Sequence, residues 1–140
     1  IRNLPVELAS VVGRYYAMDR DKRWERVKLA YDLLVHGKGA PTDDVPTTLR
    51  ASYAEGVTDE FLMPLWLGHD DARIRPGDVV LCFNFRTDRL RELTVVLSQK
   101  DMPEHGMATV TGLHYVTMTR YDDTYQGVNV MFEKDEAWHK

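Results

Sequence analysis

Two arginines, Arg86 and Arg89, stand three apart in the run Phe83-Asn84-Phe85-Arg86-Thr87-Asp88-Arg89. The residues before it, 79–83, are continuously apolar and read as a buried strand, and residues 87–97 carry helical periodicity. The spacing predicts that both arginines sit where a strand passes into a helix. A helix N-terminus carries partial positive charge, so cations there break a local preference, and such breaks tend to mark function. Two guanidiniums beside the unpaired amides of a first helical turn would grip a phosphate or a carboxylate. The plainer reading is a solvated face. Asp88 lies between the arginines, Arg91 and Glu92 continue the charge, and many surface ion pairs contribute nothing measurable.

Other chemistry is thinner. None of His36, His69, His105, His114 and His139 stands four residues from another or clusters with Cys82, so no zinc site is predicted. His69-Asp70-Asp71 could clamp a metal on paper but reads as a solvated turn. Ser10, Ser52 and Ser98 have no base at a recognisable spacing, which argues against a serine nucleophile. Asp59-Glu60 has no partner acid or metal and reads as a cap before Phe61. Asn84 either braces its turn or touches a ligand.

The elements that must position these residues are partly legible. Residues 6–12 are apolar and short, a strand or a helical turn, and 14–20 read as a loop or bent segment. From Asp21 onward Trp24, Val27, Ala30, Tyr31 and Leu34 form one apolar stripe, with Asp19 or Asp21 as cap and Gly37 or Gly39 as stop. A short helix is expected over 47–54, capped by Asp44 and ended by Gly56. Residues 61–67 are apolar, but Pro64 argues against a central strand. Pro76-Gly77 reads as a turn before the 79–83 strand. Residues 100–112 read as a mobile loop, 114–121 and 128–132 as late strands, and 133–140 as a frayed tail. The methionines and aromatics are expected to fill the core. Three or four strands among helices give an α/β fold, a partial layered domain with a small mixed sheet and flanking helices.

The 140 residues suffice for one domain with a real core. A net charge of −4, from 18 Lys+Arg against 22 Asp+Glu, is a poor footprint for nucleic acid. No apolar run approaches a membrane span. Cys82 is alone, so no intrachain disulfide can form; a buried inert thiol fits a reducing cytoplasm. The start at Ile1 has no signal-peptide character and lacks an initiator methionine, so the chain reads as processed or as a piece of a longer one.

The run Gly13-Arg14-Tyr15-Tyr16-Ala17-Met18-Asp19-Arg20-Asp21-Lys22-Arg23-Trp24-Glu25-Arg26 closely resembles the motif of cofactor-independent phosphoglycerate mutase, the two-manganese member of the alkaline-phosphatase-like superfamily. Three further pieces agree in order: Ser52-Tyr53 with Gly56 and Thr58 to Pro64, Gly77-Asp78 leading to the Phe83–Arg89 run, and Met118-Thr119-Arg120-Tyr121-Asp122. The resemblance covers nearly the whole chain. It implies the C-terminal part of the inserted, substrate-gripping domain of a glycolytic enzyme that interconverts 3-phosphoglycerate and 2-phosphoglycerate through a phosphoserine. The phosphoserine nucleophile and the His/Asp metal ligands of that family have no counterpart here. The resemblance therefore implies no catalytic and no metal-binding residue and no cofactor in this chain. Two manganese ions and the phosphatase-like domain would belong to the rest of the enzyme. The positions matching the family's substrate arginines are Arg14, Arg20, Arg86 and Arg89. Asp19, Asp21 and Asp88 are expected to cap or brace them, and helical spacing puts Arg23 and Arg26 on a solvated face. Two other readings stand beside this one: a non-catalytic anion-binding module, and a subunit completed by another chain.

Overall fold

The computed structural model describes residues 5–68 and 72–133. His69-Asp70-Asp71, His139 and the tail beyond Glu133 lie outside the described residues. The fold is mixed α/β, as expected, with two small sheets rather than one. The first is mixed: β1 (Ser10–Val11) runs antiparallel to β3 (Leu65–Trp66), and β2 (Ala40–Pro41) runs parallel to β3. The second is wholly parallel, with β4 (Val79–Cys82), β5 (His114–Thr117) and β6 (Val128–Val130) in that order and Val80 facing Tyr115 across the first ladder.

Helix α2 (Trp24–His36) carries the stripe that its sequence predicts and ends at Gly37, whose φ of 66° suits a residue without Cβ. Val27, Ala30 and Tyr31 join Leu93, Val96, Leu97, Met102, Met107 and Tyr115 in one core. Leu33 is buried beside β2, where a methyl on Gly39 would come within 2.8 Å of Leu33 Cδ1. Helix α2 therefore serves both sheets. Its formal cap is Arg23 and not Asp19 or Asp21. Asp19 nevertheless ties the approach, accepting from the Arg23 amide at 2.9 Å.

Helix α3 (Val45–Ala54) follows its signals closely. Asp44 accepts from the Thr47 amide at 3.2 Å, Pro46 lies in the first turn, and Gly56 follows the end with φ 83°. We expect Asp44→Ala to lower stability, because the exposed N-terminus of α3 loses its side-chain acceptor. Thermal unfolding followed by circular dichroism would show this as a loss of a few degrees, and an unchanged midpoint would deny the cap its role.

Four expectations are corrected. Residues 79–83 are not a buried strand: β4 alternates, with Val79 71% and Phe83 83% exposed while Val80 and Cys82 face the core. The periodicity allows this because both faces of β4 are apolar, and a two-sided apolar run looks the same whether one face or both are covered. The methionines and aromatics are not all core either, since Phe61, Met63, Phe85, Met131 and Phe132 are exposed. The segment 14–20 begins with a helical turn, α1 (Arg14–Ala17). Residues 100–112 are not a loose loop. Met102 and Met107 exchange backbone hydrogen bonds at 2.8 and 3.0 Å and drop their side chains into the core, and Tyr31 donates its hydroxyl to the Ala108 carbonyl.

Cys82 is half-buried and donates to the Tyr115 hydroxyl at 3.2 Å. Burial pushes its thiol up, as an unreactive structural cysteine requires. No helix among the described residues is long and apolar enough to cross a membrane.

Candidate functional site

The second arginine segment is held by an extended loop and not by a helix terminus. Helix α4 (Arg91–Thr94), prolonged by a wider turn over Val95–Gln99, starts four residues later than the periodicity predicts. Asn84 explains the delay: its Oδ1 accepts from the Arg86 amide at 2.9 Å, closing an Asx turn that competes with helix. Asn84 thus braces its turn. The loop is pinned from behind by the segment after β5. Thr119 Oγ1 donates to the Phe85 carbonyl at 2.8 Å and the Tyr121 hydroxyl donates to the Asn84 carbonyl at 2.6 Å.

Asp88 is the hub of this segment. Arg86 donates to both its oxygens at 3.1 Å, and Arg20 Nη1 donates to Oδ2 at 2.9 Å. Hydrogen bonds from Arg86 and then Arg20 hold the Asp88 carboxyl down at about 2. The two arginine segments, far apart in sequence, are therefore joined by one carboxylate. A second link runs from Arg89 Nη1 to the Met18 carbonyl at 3.4 Å.

Arg14, Arg20 and Arg89 line one cavity of about 250 Å³. Arg86 stands beside it through Asp88. Arg14, Arg20 and Arg86 side chains are 59, 48 and 52% exposed, so three of the four guanidiniums reach solvent. Glu60, expected as a cap, instead pairs with Arg14 at 3.1 Å. Thr58 precedes that short turn, and its neighbour Asp59 accepts from the Tyr53 hydroxyl. Gly13 lets Arg14 approach this segment, because its amide donates to the Leu62 carbonyl at 2.8 Å with backbone packed against backbone.

Arg23 and Arg26 also line the cavity, so the expectation of a solvated face is corrected. Arg26 is only 24% exposed, with its guanidinium 3.8 Å from the Tyr15 ring centroid and Nη1 3.8 Å from Asp19. Arg23 pairs with Asp21 at 2.9 Å and Asp19 at 3.5 Å. The helical phase misleads because α2 begins at Trp24, leaving Arg23 and Arg26 at the end that abuts α1. The legible signal was the density of the run, four arginines between positions 14 and 26 around Asp19 and Asp21. The cavity wall holds five arginines against three carboxylates, so it is electropositive in a chain of net charge −4.

A larger concavity of about 880 Å³ is lined by two arginines, Arg91 and Arg120, against three carboxylates, Asp122, Asp123 and Glu133, so it lacks the excess of positive charge. Arg120 pairs with Glu133 and Asp123, and Arg91 Nε donates to the Tyr121 carbonyl at 2.8 Å. Size alone does not make it the site. No group of three or more His, Cys, Asp or Glu side chains among the described residues is placed to hold a metal ion. Manganese therefore finds no three-ligand set among the described residues.

The fold and the cavity define an α/β segment whose arginines converge on one concavity and are prearranged by carboxylates. The chain belongs to the family described as BPG-independent PGAM N-terminus, whose sequence model matches residues 1–123. It is 57% identical over 131 residues to the 2,3-bisphosphoglycerate-independent phosphoglycerate mutase of Bacteroides thetaiotaomicron, covering 94% of this chain and 26% of that protein. The enzyme of the same name from Flavobacterium psychrophilum is 55% identical over 139 residues, covering 96% of this chain and 27% of its own length. A crystal structure of Leishmania mexicana phosphoglycerate mutase at low cobalt concentration superposes with a TM-score of 0.69 at 30% identity, over 84% of this chain and 23% of that one. The chain thus spans about a quarter of the length of the curated relatives it matches.

Proposed function

We propose that this chain grips the substrate within a phosphoglycerate mutase that interconverts 3-phosphoglycerate and 2-phosphoglycerate through a phosphoserine. The observation that carries this reading is the convergence of Arg14, Arg20 and Arg89 on one electropositive cavity, with Arg86 tied to it through Asp88. A phosphoglycerate offers a carboxylate and a phosphate, and guanidinium forks bind both bidentately and stay charged. The present partners favour exchange. Exposed pairs such as Arg14–Glu60 are worth about 0.2–1 kcal/mol, whereas a hydrogen bond from a guanidinium to a bound anion is worth about 1.5–3 kcal/mol. Substrate can displace the carboxylates without a large penalty, and until then they keep the guanidiniums in place.

In this reading the chain is the C-terminal part of an inserted domain. The serine that carries the phosphoryl group, the manganese ions and the phosphatase-like domain belong to the remainder of a cytoplasmic, glycolytic enzyme of the alkaline-phosphatase superfamily. The exposed Val79 and Leu81 of β4, followed by exposed Phe83 and Phe85 in the loop after it, support a missing neighbour, since so much contiguous apolar surface is unusual for a chain that works alone. Here the arginines orient the substrate and offset charge as the phosphoryl group moves.

The test compares two proteins. The full-length enzyme should interconvert the two phosphoglycerates without added 2,3-bisphosphoglycerate. The isolated 140-residue chain should show no turnover with or without manganese. An inactive full-length protein would overturn the assignment, and turnover by the isolated chain would overturn the division of labour.

A further inference from the structure

Asp19 and Glu92 form a buried acidic pair between the two arginine segments, and neither is among the groups assigned above to grip substrate. They are 6 and 7% exposed. Asp19 is fully employed. Its Oδ2 accepts from the amides of Asp21 and Arg23 at 3.1 and 2.9 Å, and its Oδ1 faces the Arg23 and Arg26 guanidiniums. Glu92 is half-employed. Its Oε2 accepts from the Lys22 amide at 2.9 Å, while buried Oε1 meets no donor.

The charged groups around Glu92 explain the orphan. From the turn before α2, Arg20 is turned to Asp88, Lys22 lines the same cavity as Asp88 and Glu92, and Asp21 adds only negative charge. On α4 itself, Arg91 donates through Nε to the Tyr121 carbonyl. From the segment after β5, Asp122 faces the same space and the Tyr125 hydroxyl is turned to the Arg91 carbonyl. What adjoins Glu92 is the carboxylate of Asp19. Two buried carboxyls in contact are satisfied when one proton lies between them.

We propose that Glu92 is a positioning residue: as a neutral acid it donates a hydrogen bond to Asp19 and bolts the turn bearing Arg20 to the helix that follows Arg86 and Arg89. Its second oxygen does further work, holding the amide of Lys22, whose φ of 58° is strained for a residue with a Cβ. Arg20 lies two residues before that strained position and lines the cavities on both sides of the acidic pair. A loosened turn would carry Arg20 away from Arg89. Protonation fits the surroundings. Burial, then the contact with Asp19, pushes the Glu92 carboxyl up to about 7. Burial pushes Asp19 the other way from its hydrogen bonds with Glu92, Arg23 and Asp21, and the hydrogen bonds win, holding it below the usual range.

The inference rests on the reading of the arginines as a phosphoglycerate grip. The test uses the full-length enzyme, assayed at pH 6, where Glu92 holds its proton. Glu92→Gln supplies an amide that donates to Asp19 and an oxygen that accepts from Lys22, so its kcat/KM for 3-phosphoglycerate should stay within about twofold of wild type. Glu92→Leu keeps bulk but neither bond, and KM should rise about fivefold or more while kcat changes less, as for lost binding geometry. Should Glu92→Leu fail to fold, Glu92→Asp, which retracts the carboxyl by one methylene, should raise KM likewise. Infrared difference spectra of wild type minus Glu92→Gln at pH 6 should show the carbonyl band of a neutral carboxylic acid. An unchanged KM in the leucine and aspartate variants, a glutamine variant as impaired as they are, or no neutral-acid band would each overturn the proposal. A wild-type enzyme without mutase activity would overturn the functional reading instead, and the infrared band would still decide where the proton lies.

Discussion

Replacing Arg89 or Arg20 by alanine in the full-length enzyme is expected to lower kcat/KM for 3-phosphoglycerate roughly ten- to hundredfold. Both line the same cavity, and each change removes hydrogen bonds to an anion worth about 1.5–3 kcal/mol. The loss can exceed this where the remaining arginines no longer hold the substrate in line for transfer. Lysine should restore little at either position, because an ammonium cannot reproduce the planar fork. Arg86→Ala should act by two routes, removing one cation and leaving Asp88 wholly to Arg20, to which it is already bonded at 2.9 Å. Arg50→Ala, on the exposed face of α3, is the control and should stay within about 0.5 kcal/mol of wild type in any readout. Steady-state kinetics decides. If Arg20→Ala and Arg89→Ala were both folded and fully active, the cavity would not be the substrate site.

Gly13→Ala is expected to be the most damaging small substitution in the chain. The backbone there is ordinary, φ −67° and ψ 152°, so conformational freedom is not the reason for glycine. Space is the reason. A Cβ would lie 2.3 Å from the Glu60 carbonyl oxygen, 2.6 Å from the Leu62 nitrogen and 2.8 Å from the Asp59 carbonyl oxygen. All three are main-chain atoms, so no flexible side-chain end can give way. The segment carrying Glu60 must move, breaking the Gly13–Leu62 hydrogen bond and the Arg14–Glu60 pair. We expect a loss above ~3 kcal/mol, at the upper end of overpacking effects. Gly56→Ala gives the contrast: its Cβ would meet nothing, but φ is 83°, so the cost should be only ~1 kcal/mol from backbone strain. Thermal unfolding of the two variants should separate them clearly, and equal midpoints would contradict the steric account.

Much of the scaffold was legible because its signals are local. The α2 stripe with its Gly37 stop and the Asp44-capped α3 need only neighbours within a turn or two. The periodicity places the start of α4 four residues too early because residues 87–90 are compatible with helix. What keeps them out is the Asn84 turn, the pull of Arg86 and Arg20 on Asp88, and the brace from Thr119 and Tyr121. The Asn84 turn and the Arg86–Asp88 pair are local, whereas Arg20, Thr119 and Tyr121 come from distant segments. The 100–112 segment reads as loose because its glycines and proline are visible in the sequence, whereas the pairing of Met102 with Met107 and their burial under α2 are not.

By itself the sequence determined a family resemblance: Arg14, Arg20, Arg86 and Arg89 fall in two runs whose composition and order match a family's motifs, and the resemblance makes them the candidate substrate arginines. It could do so because residue type and spacing are one-dimensional quantities. Tertiary structure alone decided which cations share a cavity. Arg26 turns inward onto Tyr15 and Asp19, Arg86 stays one carboxylate away, and Glu92 lies buried against Asp19. The exposure of one whole face of β4 was likewise undecided until its neighbours were placed. The physical reason is the same in each case. Burial and pairing of a charge depend on which distant segment folds against it, and a charge's cost or gain is set by that neighbour's dielectric and donors rather than by its own flanking residues.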